Sequence, residues 1–246
     1  MGQLKKYKYE VAVISTSATE AHNQHLPEGQ DVLHTSYVAN EVARIAFEQT
    51  QSVIALPIIP FGVDCNLMAF PLTVHISQDT LNLVLLDIIK SLMSHGIRKI
   101  VILNGHGGND FGPFVRQTQC DLDVHLFVCH WWKVAMDCYD QIFDRPDDHA
   151  GQMETSVGLE LFPDLIELDT AGDGIARKYR FEALEKGWAK TSRDFGKVNP
   201  NCACGDPNGA TAEKGRQYLD IAVGRIAEFL IQLANEPIDA DFPHEK

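Results

Sequence analysis

The chain contains no uncharged apolar run approaching the ~20 residues that a membrane-spanning helix needs, so no membrane partner is expected. Positive charge is scarce: 21 Lys and Arg stand against 34 Asp and Glu, a formal net charge of −13. A surface of that sign repels a phosphate backbone, which excludes nucleic acid as an expected partner. Cysteine is sparse and scattered. The six, at 65, 120, 129, 138, 202 and 204, form no Cys-x-x-Cys pair, and Cys202-Ala-Cys204 lacks the second pair a zinc site would need, so reduced thiols are expected. The start, MGQLKKYKYE, has charge but no apolar h-region of a secretory signal, and Lys6 stands where a myristoylation signal has Ser or Thr. A cytoplasmic location is therefore expected. Internal repeats, low-complexity tracts, domain linkers, a GxGxxG fingerprint and a P-loop lysine are all missing.

What is present is the composition of an ordinary globular protein, 45% hydrophobic and 22% charged over 246 residues. That length suits one domain over residues 1–246. Residues 10–16, 52–58, 99–103 and 123–129 read as strands. Helices are expected over 32–49, with Val38, Val42, Ile45 and Ala46 on one face, and over 79–95, about 109–120, 152–161 and about 210–233. Residues 164–206 are rich in turn formers such as DTAGDG and NPNCACGDPNG. Alternation of this kind predicts an α/β fold, a three-layer sandwich with a mostly parallel sheet and helices on both faces.

Three segments carry chemistry. TEAHNQHLPEGQD follows the apolar strand Val11-Ala12-Val13-Ile14 and holds Glu20, His22 and Asp31, a compact set of metal-ligand types. Open α/β sheets place their sites at such strand ends. The plainer reading is a polar loop with an incidental histidine. Lys99-Ile-Val-Ile-Leu103 runs into Asn104-Gly-His-Gly-Gly-Asn109. His106 there is a candidate ligand; the alternatives are a glycine turn with a satisfied histidine, or a phosphate cradle at a helix N-terminus. Asp147-Asp148-His149-Ala-Gly-Gln-Met-Glu154-Thr-Ser combines a histidine suited to acid–base work with a carboxylate in a first helical turn. Glu154 is either a functional group or a favourable charge at the helix N-terminus.

In that order, E-x-H with an Asp nine residues on, NGHGGN after a strand, and HAGxxETS resemble the creatininase (creatinine amidohydrolase) family. Pro60-Phe-Gly62, Phe70-Pro71-x-Thr73, Gly205-Asp-Pro207 and Ala210-Thr-Ala-Glu-Lys-Gly215 add to the likeness, which runs from about residue 10 to 232. The resemblance implies a dinuclear centre of zinc, manganese or iron and a homo-oligomer, commonly a hexamer. By the same resemblance, Glu20 and His106 hold one metal, His22 belongs to the second and Asp31 bridges the two. His149 falls at the catalytic histidine, with Asp148 as the acidic residue before it.

The chain departs from creatininase proper in two places. Gly107 and Gly108 replace a Tyr and a Glu, and that Glu is a ligand of the second metal. The second site is thus expected to lack one protein ligand, unless the helix of Glu154 approaches or water fills the position. Arg145 replaces a tryptophan four residues before the catalytic histidine, while Trp131 or Trp132 is a candidate for the other substrate-packing tryptophan. These departures point away from creatinine itself. The expected activity is metal-dependent hydrolysis of a non-peptide C–N bond, in a cyclic amide or formamide, by a metal-activated water. The alternatives are an enzyme resembling the deformylases of a formylamino-pyrimidine nucleotide, for which Arg145 would suit an anionic substrate, and a non-catalytic metal- or ligand-binding protein of the same fold.

Overall fold

Side chains of a strand point alternately to its two faces, and here both faces are apolar, which commits the strands to the middle layer. In the computed structural model, which describes residues 6–245, the chain runs β1 (Val11–Thr16), α1 (Gln30–Thr50), β2 (Val53–Ala55), α2 (Gln78–Ser94), β3 (Lys99–Asn104), α3 (Gly112–Asp121) and β4 (His125–His130). It continues with α4 (Tyr139–Ile142), β5 (Asp147–His149), α5 (Gln152–Leu161), α6 (Glu182–Glu185), α7 (Phe195–Val198), β6 (Cys204–Gly205) and α8 (Ala212–Asn235). The first four strands form one parallel sheet in the order β2-β1-β3-β4.

Val11, Val13, Val101 and Leu103 point to the layer that holds α1, α5 and α8, where they pack with Val38, Val157 and Tyr218. Ala12, Ile14, Ile100 and Ile102 point the other way, onto Leu81, Leu85 and Ile89 of α2 and onto Phe111. Each fully buried aliphatic contributes about 1.5–3 kcal/mol relative to exposure. The fold is thus the expected α/β sandwich, a four-stranded parallel sheet flanked by helices.

The boundaries shift for local reasons. β2 stops at Ala55, with Pro57, which has no N–H to give a ladder, just beyond it. Helix α3 begins at Gly112 with Pro113 in its first turn, later than the expected 109. Helix α8 begins at Ala212 because Thr211 caps it, its hydroxyl accepting from the Lys214 N–H. A small second sheet was not anticipated: β5 and β6 pair antiparallel, away from the main sheet. Among the described residues, no helix is long and apolar enough to cross a membrane.

Candidate metal centre

Thr16 and Asn104 are register partners at the C-terminal ends of β1 and β3, so the segments that leave these strands emerge side by side. Glu20 and His22 lie on the segment after β1, Asp31 in the first turn of α1, and His106 two residues past β3. All four are buried. Nδ1 of His106 lies 3.0 Å from Glu20 Oε1 and 3.2 Å from Asp31 Oδ2. Nε2 of His22 lies 3.3 Å from Asp31 Oδ1 and 3.8 Å from Oε2 of Glu154.

These spacings bear on metal binding. Two ligand atoms about 2.1 Å from one ion at a tetrahedral angle are ~3.4 Å apart. The observed separations bracket that value, and Glu20/Asp31/His106 and His22/Asp31/Glu154 each form a group whose ligand atoms all lie within 4.8 Å of one another. Asp31 belongs to both. Glu20 Oε2, His22 Nε2 and Asp31 Oδ2 are buried without a hydrogen-bond partner. Buried polar atoms are rarely left so, and each of these atoms is one a cation could use. The donor set, mixed imidazole and carboxylate, fits divalent zinc, manganese or iron.

The rings are aimed by neighbours. His22 donates from Nδ1 to the Glu20 carbonyl (3.1 Å), which leaves Nε2 facing the carboxylates. Nε2 of His106 sits 2.9 Å from Asp64 Oδ1 and 3.2 Å from the Val63 carbonyl, which turns Nδ1 inward. Asp64 is fully buried, and sequence reading passed it over although it stands two residues beyond the noted Pro60-Phe-Gly62. The asparagines of NGHGGN are scaffold. Asn104 Oδ1 accepts from the Thr16 hydroxyl, the His106 N–H and Asn109 Nδ2, and Asn109 Oδ1 accepts from the Val63 N–H. A Cβ at Gly105 would lie 1.7 Å from Thr35 Oγ1, so only glycine lets α1 pack this close. At Gly108 it would lie 2.3 Å from the Val63 carbonyl oxygen and 2.4 Å from His106 Nε2, so no side chain fits where a carboxylate ligand was expected to be missing. The helix carrying Glu154 does approach, bringing that carboxylate to His22 and Asp31.

His149 is the last residue of β5. Its Nε2–H donates to the Ala21 carbonyl (2.8 Å), so the neutral ring turns Nδ1 toward Glu20 Oε1, 3.8 Å away. Its ring lies 4.3 Å from that of His22 and 5.1 Å from that of Phe195. Burial, and then the charge of His22, hold its pKa well below the ordinary histidine value, which keeps Nδ1 free to take a proton. Burial alone would lower His22, but Asp31, Glu154 and Glu20 outweigh it and push the pKa up to about 10. Burial pushes Glu154 up to about 8.

Asp148, the acidic residue that the resemblance places before the catalytic histidine, points to the opposite side of β5 from His149. It is exposed and pairs with Arg193. The strand period of two brings the preceding residue inward: Asp147 accepts from the N–H groups of Gly151, Met153 and Glu154 and so pins the start of α5. Arg145 is a surface residue 3.7 Å from Asp206. Trp131 is buried in the core, edge-on to His34 at 5.6 Å, and Trp132 lies 5.1 Å from the ring of His130.

A doubly covered parallel sheet with buried carboxylates and imidazoles gathered at its C-terminal end defines an α/β protein with a candidate metal site. The family model described as creatininase (creatinine amidohydrolase) matches residues 1–230, and the chain belongs to the creatininase family. A crystal structure from Bacteroides fragilis NCTC 9343, named provisionally as a creatinine amidohydrolase, is 32% identical, covers 97% of this chain and 95% of that one, and superposes with a TM-score of 0.89. The mycofactocin precursor peptide peptidase of Mycobacterium ulcerans (strain Agy99) is 29% identical over 230 residues, 88% of this chain and 84% of its own length. The creatinine amidohydrolase of Pseudomonas putida is 28% identical over 186 residues, 66% of this chain and 68% of its own. More distant creatininase structures share the fold. They include a Zn–Zn form (21% identity, TM-score 0.73, 96% and 94% of the two chains) and a Mn form (22%, 0.72, 96% and 95%). A mutant creatininase complexed with creatine also shares it (24%, 0.72, 92% of each chain).

Proposed function

We propose that this creatininase-family hydrolase cleaves the C–N bond of a small cyclic amide or a formamide at a dinuclear metal centre, using the whole of residues 1–246 as one domain. The observation that carries the reading is the pair of ligand groups that share Asp31, each with a buried ligand atom that has no hydrogen-bond partner. Glu20 and His106 would hold one ion and His22 and Glu154 the other, with Asp31 between them. Two such ions would lower the pKa of coordinated water toward neutrality and polarise the amide carbonyl.

The protein's own groups do the rest. Asp64 fixes the ring of His106, and the Glu20 carbonyl fixes that of His22. His149, neutral and anchored through Nε2, would accept a proton at Nδ1 and return it to the leaving nitrogen. Burial of the centre favours a small substrate, since the ligands are almost wholly enclosed. Arg145 is engaged at the surface with Asp206, which speaks against a role in binding a phosphorylated substrate. The names of the relatives, one for creatinine and one for a precursor peptide, support amide hydrolysis as the shared reaction and make a peptide bond the second reading.

A panel of cyclic amides, formamides and short peptides, assayed with the metal-loaded protein and its Asp31→Ala variant, separates these readings. Turnover of a cyclic amide or formamide that chelation and Asp31→Ala both abolish is the expected result. Turnover of peptides alone would replace the proposed substrate class, and full metal content without any turnover would leave a binding protein.

A further inference from the structure

β5 is only three residues long, yet the segment between α5 and β6 grips it from both faces. On the inner face the ring of Phe195 lies against that of His149, edge-on at 5.1 Å. On the outer face Arg193 pairs with Asp148, Nη1 with Oδ2 and, at 3.4 Å, Nη2 with Oδ1. The two grips are also joined to each other, because the guanidinium of Arg193 lies over the ring of Phe195, 4.9 Å from its centre. His149, Phe195, Arg193 and Asp148 thus form a closed circuit, completed by the peptide bond between Asp148 and His149.

Other parts of the same segment are fastened beside the histidine. The Phe195 N–H donates to the Asn66 carbonyl (3.0 Å), and the N–H of Asn23, next to His22, donates to the Cys202 carbonyl (3.1 Å). Cys202 is fully buried, and its Sγ lies 3.8 Å from His149 Nε2. Both Cys202 and Ala150 have left-handed backbone, with φ of 54° and 56°. Strained residues of this kind persist only where their surroundings over-determine them, and they gather at functional sites.

Stability gives no account of the ion pair. Asp148 and Arg193 are 51% and 36% exposed, and a pair in that setting adds little to the fold. Its geometric effect is larger. The Ala21 carbonyl fixes Nε2 of His149, but a single hydrogen bond lets an imidazole rock about its anchor. The rings of Phe195 and His22 close on it and limit that motion.

We propose that Asp148 and Arg193 are positioning residues for His149: their ion pair holds Phe195 against the imidazole and so keeps Nδ1 aimed at the metal centre. The effect on turnover rests on His149 being the proton carrier of the proposed reaction, whereas the effect on the ring does not.

Two measurements on the metal-loaded full-length protein test this. Mass spectrometry after diethyl pyrocarbonate treatment reads how well the His149 ring is shielded, and it needs no substrate. Kinetics on whichever amide or peptide the wild type turns over reads the consequence. Arg193→Gln, Asp148→Asn and Phe195→Leu should each speed modification of His149 and lower kcat by about 10–100-fold, the scale of a small misplacement of a reacting group. KM and metal content should stay at the wild-type level. Arg193→Lys keeps the charge but loses the planar stack on Phe195, so it should fall between wild type and Arg193→Gln. The exchanged pair, Asp148→Arg with Arg193→Asp, should recover part of both losses. Modification of His149 at the wild-type rate in Arg193→Gln, with or without a change in kcat, would overturn the proposal, as would an exchanged pair no better than its single variants. Faster modification with kcat unchanged would uphold the grip on the ring and overturn instead the role of His149 in the reaction.

Discussion

His106 is gripped from two sides, by Asp64 at Nε2 and by Glu20 and Asp31 at Nδ1, and the two grips do different things. Glu20 and Asp31 face the ring atom that would bind an ion, whereas Asp64 only aims it. Outer carboxylates of this type typically change metal affinity by about 10–100-fold. Asp64→Asn is therefore expected to weaken metal retention by about that factor in a chelator competition while circular dichroism stays the same. His149→Ala should behave in the opposite way. It should keep its metals and lose ~10²–10⁴-fold in turnover, the usual contribution of a general acid–base group. Loss of metal from His149→Ala would make it a ligand. At this scale the sequence was readable where ligand types lie close together, as in Glu20-Ala-His22. Asp64 was not readable, because a lone carboxylate in a coil shows no periodicity and its partner is 42 positions away. Which of Asp147 and Asp148 faces inward was not readable, because β5 is only three residues long, too short to show which of them shares a face with His149.

The elements that build the site were mostly visible in the sequence. The apolar runs of β1 and β3 and the helical spacing of α1, α2 and α8 mark the main layers, because burial on a strand face or a helix stripe leaves a period. The β5–β6 pair left none, being three residues on two and far apart in the chain. Nor could spacing tell whether α5 would bring Glu154 to His22. That depends on Asp147 pinning its first turn and on its packing against α8, both contacts between distant segments. The approach of α1 to the β3 turn is a prediction at this scale. With a Cβ placed 1.7 Å from Thr35 Oγ1 and 2.9 Å from its Cβ, Gly105→Ala is expected to destabilise the fold by about 1–3 kcal/mol, as overpacking does. Thr35→Ala in the same chain should recover part of that loss, which chemical denaturation of both variants would measure. Additive losses would show that the two elements are not in contact at that point.

Across the whole molecule, a chain of net charge −13 buries Glu20, Asp31, Asp64 and three histidines at one end of its sheet. Without metal, protons must balance that cluster. The carboxylates hold His22 up to about 10, so its ring carries an extra proton at pH 8, and they push His106 well above its ordinary value. An ion can use His22 Nε2 and His106 Nδ1 only once any such proton leaves. Metal uptake at pH 8 is thus expected to release at least one proton per chain, and the apparent affinity should fall on acidification by ~10-fold per proton for each pH unit. As pH falls through about 8, Glu154 takes up a proton that metal must also displace, and the slope should steepen. Titration calorimetry in buffers of different ionisation heat counts these protons; uptake without any release would mean that the ions bind elsewhere.

The sharing of Asp31 between two ions, with Glu154 in the position closed off by Gly108, is tested most directly by elemental analysis of the metal-loaded protein. Wild type should hold about two divalent ions per chain, Glu154→Gln about one, and Asp31→Ala less than one after the same mild chelation. A wild-type protein that never exceeds one ion, or a Glu154→Gln variant that keeps two, would contradict it.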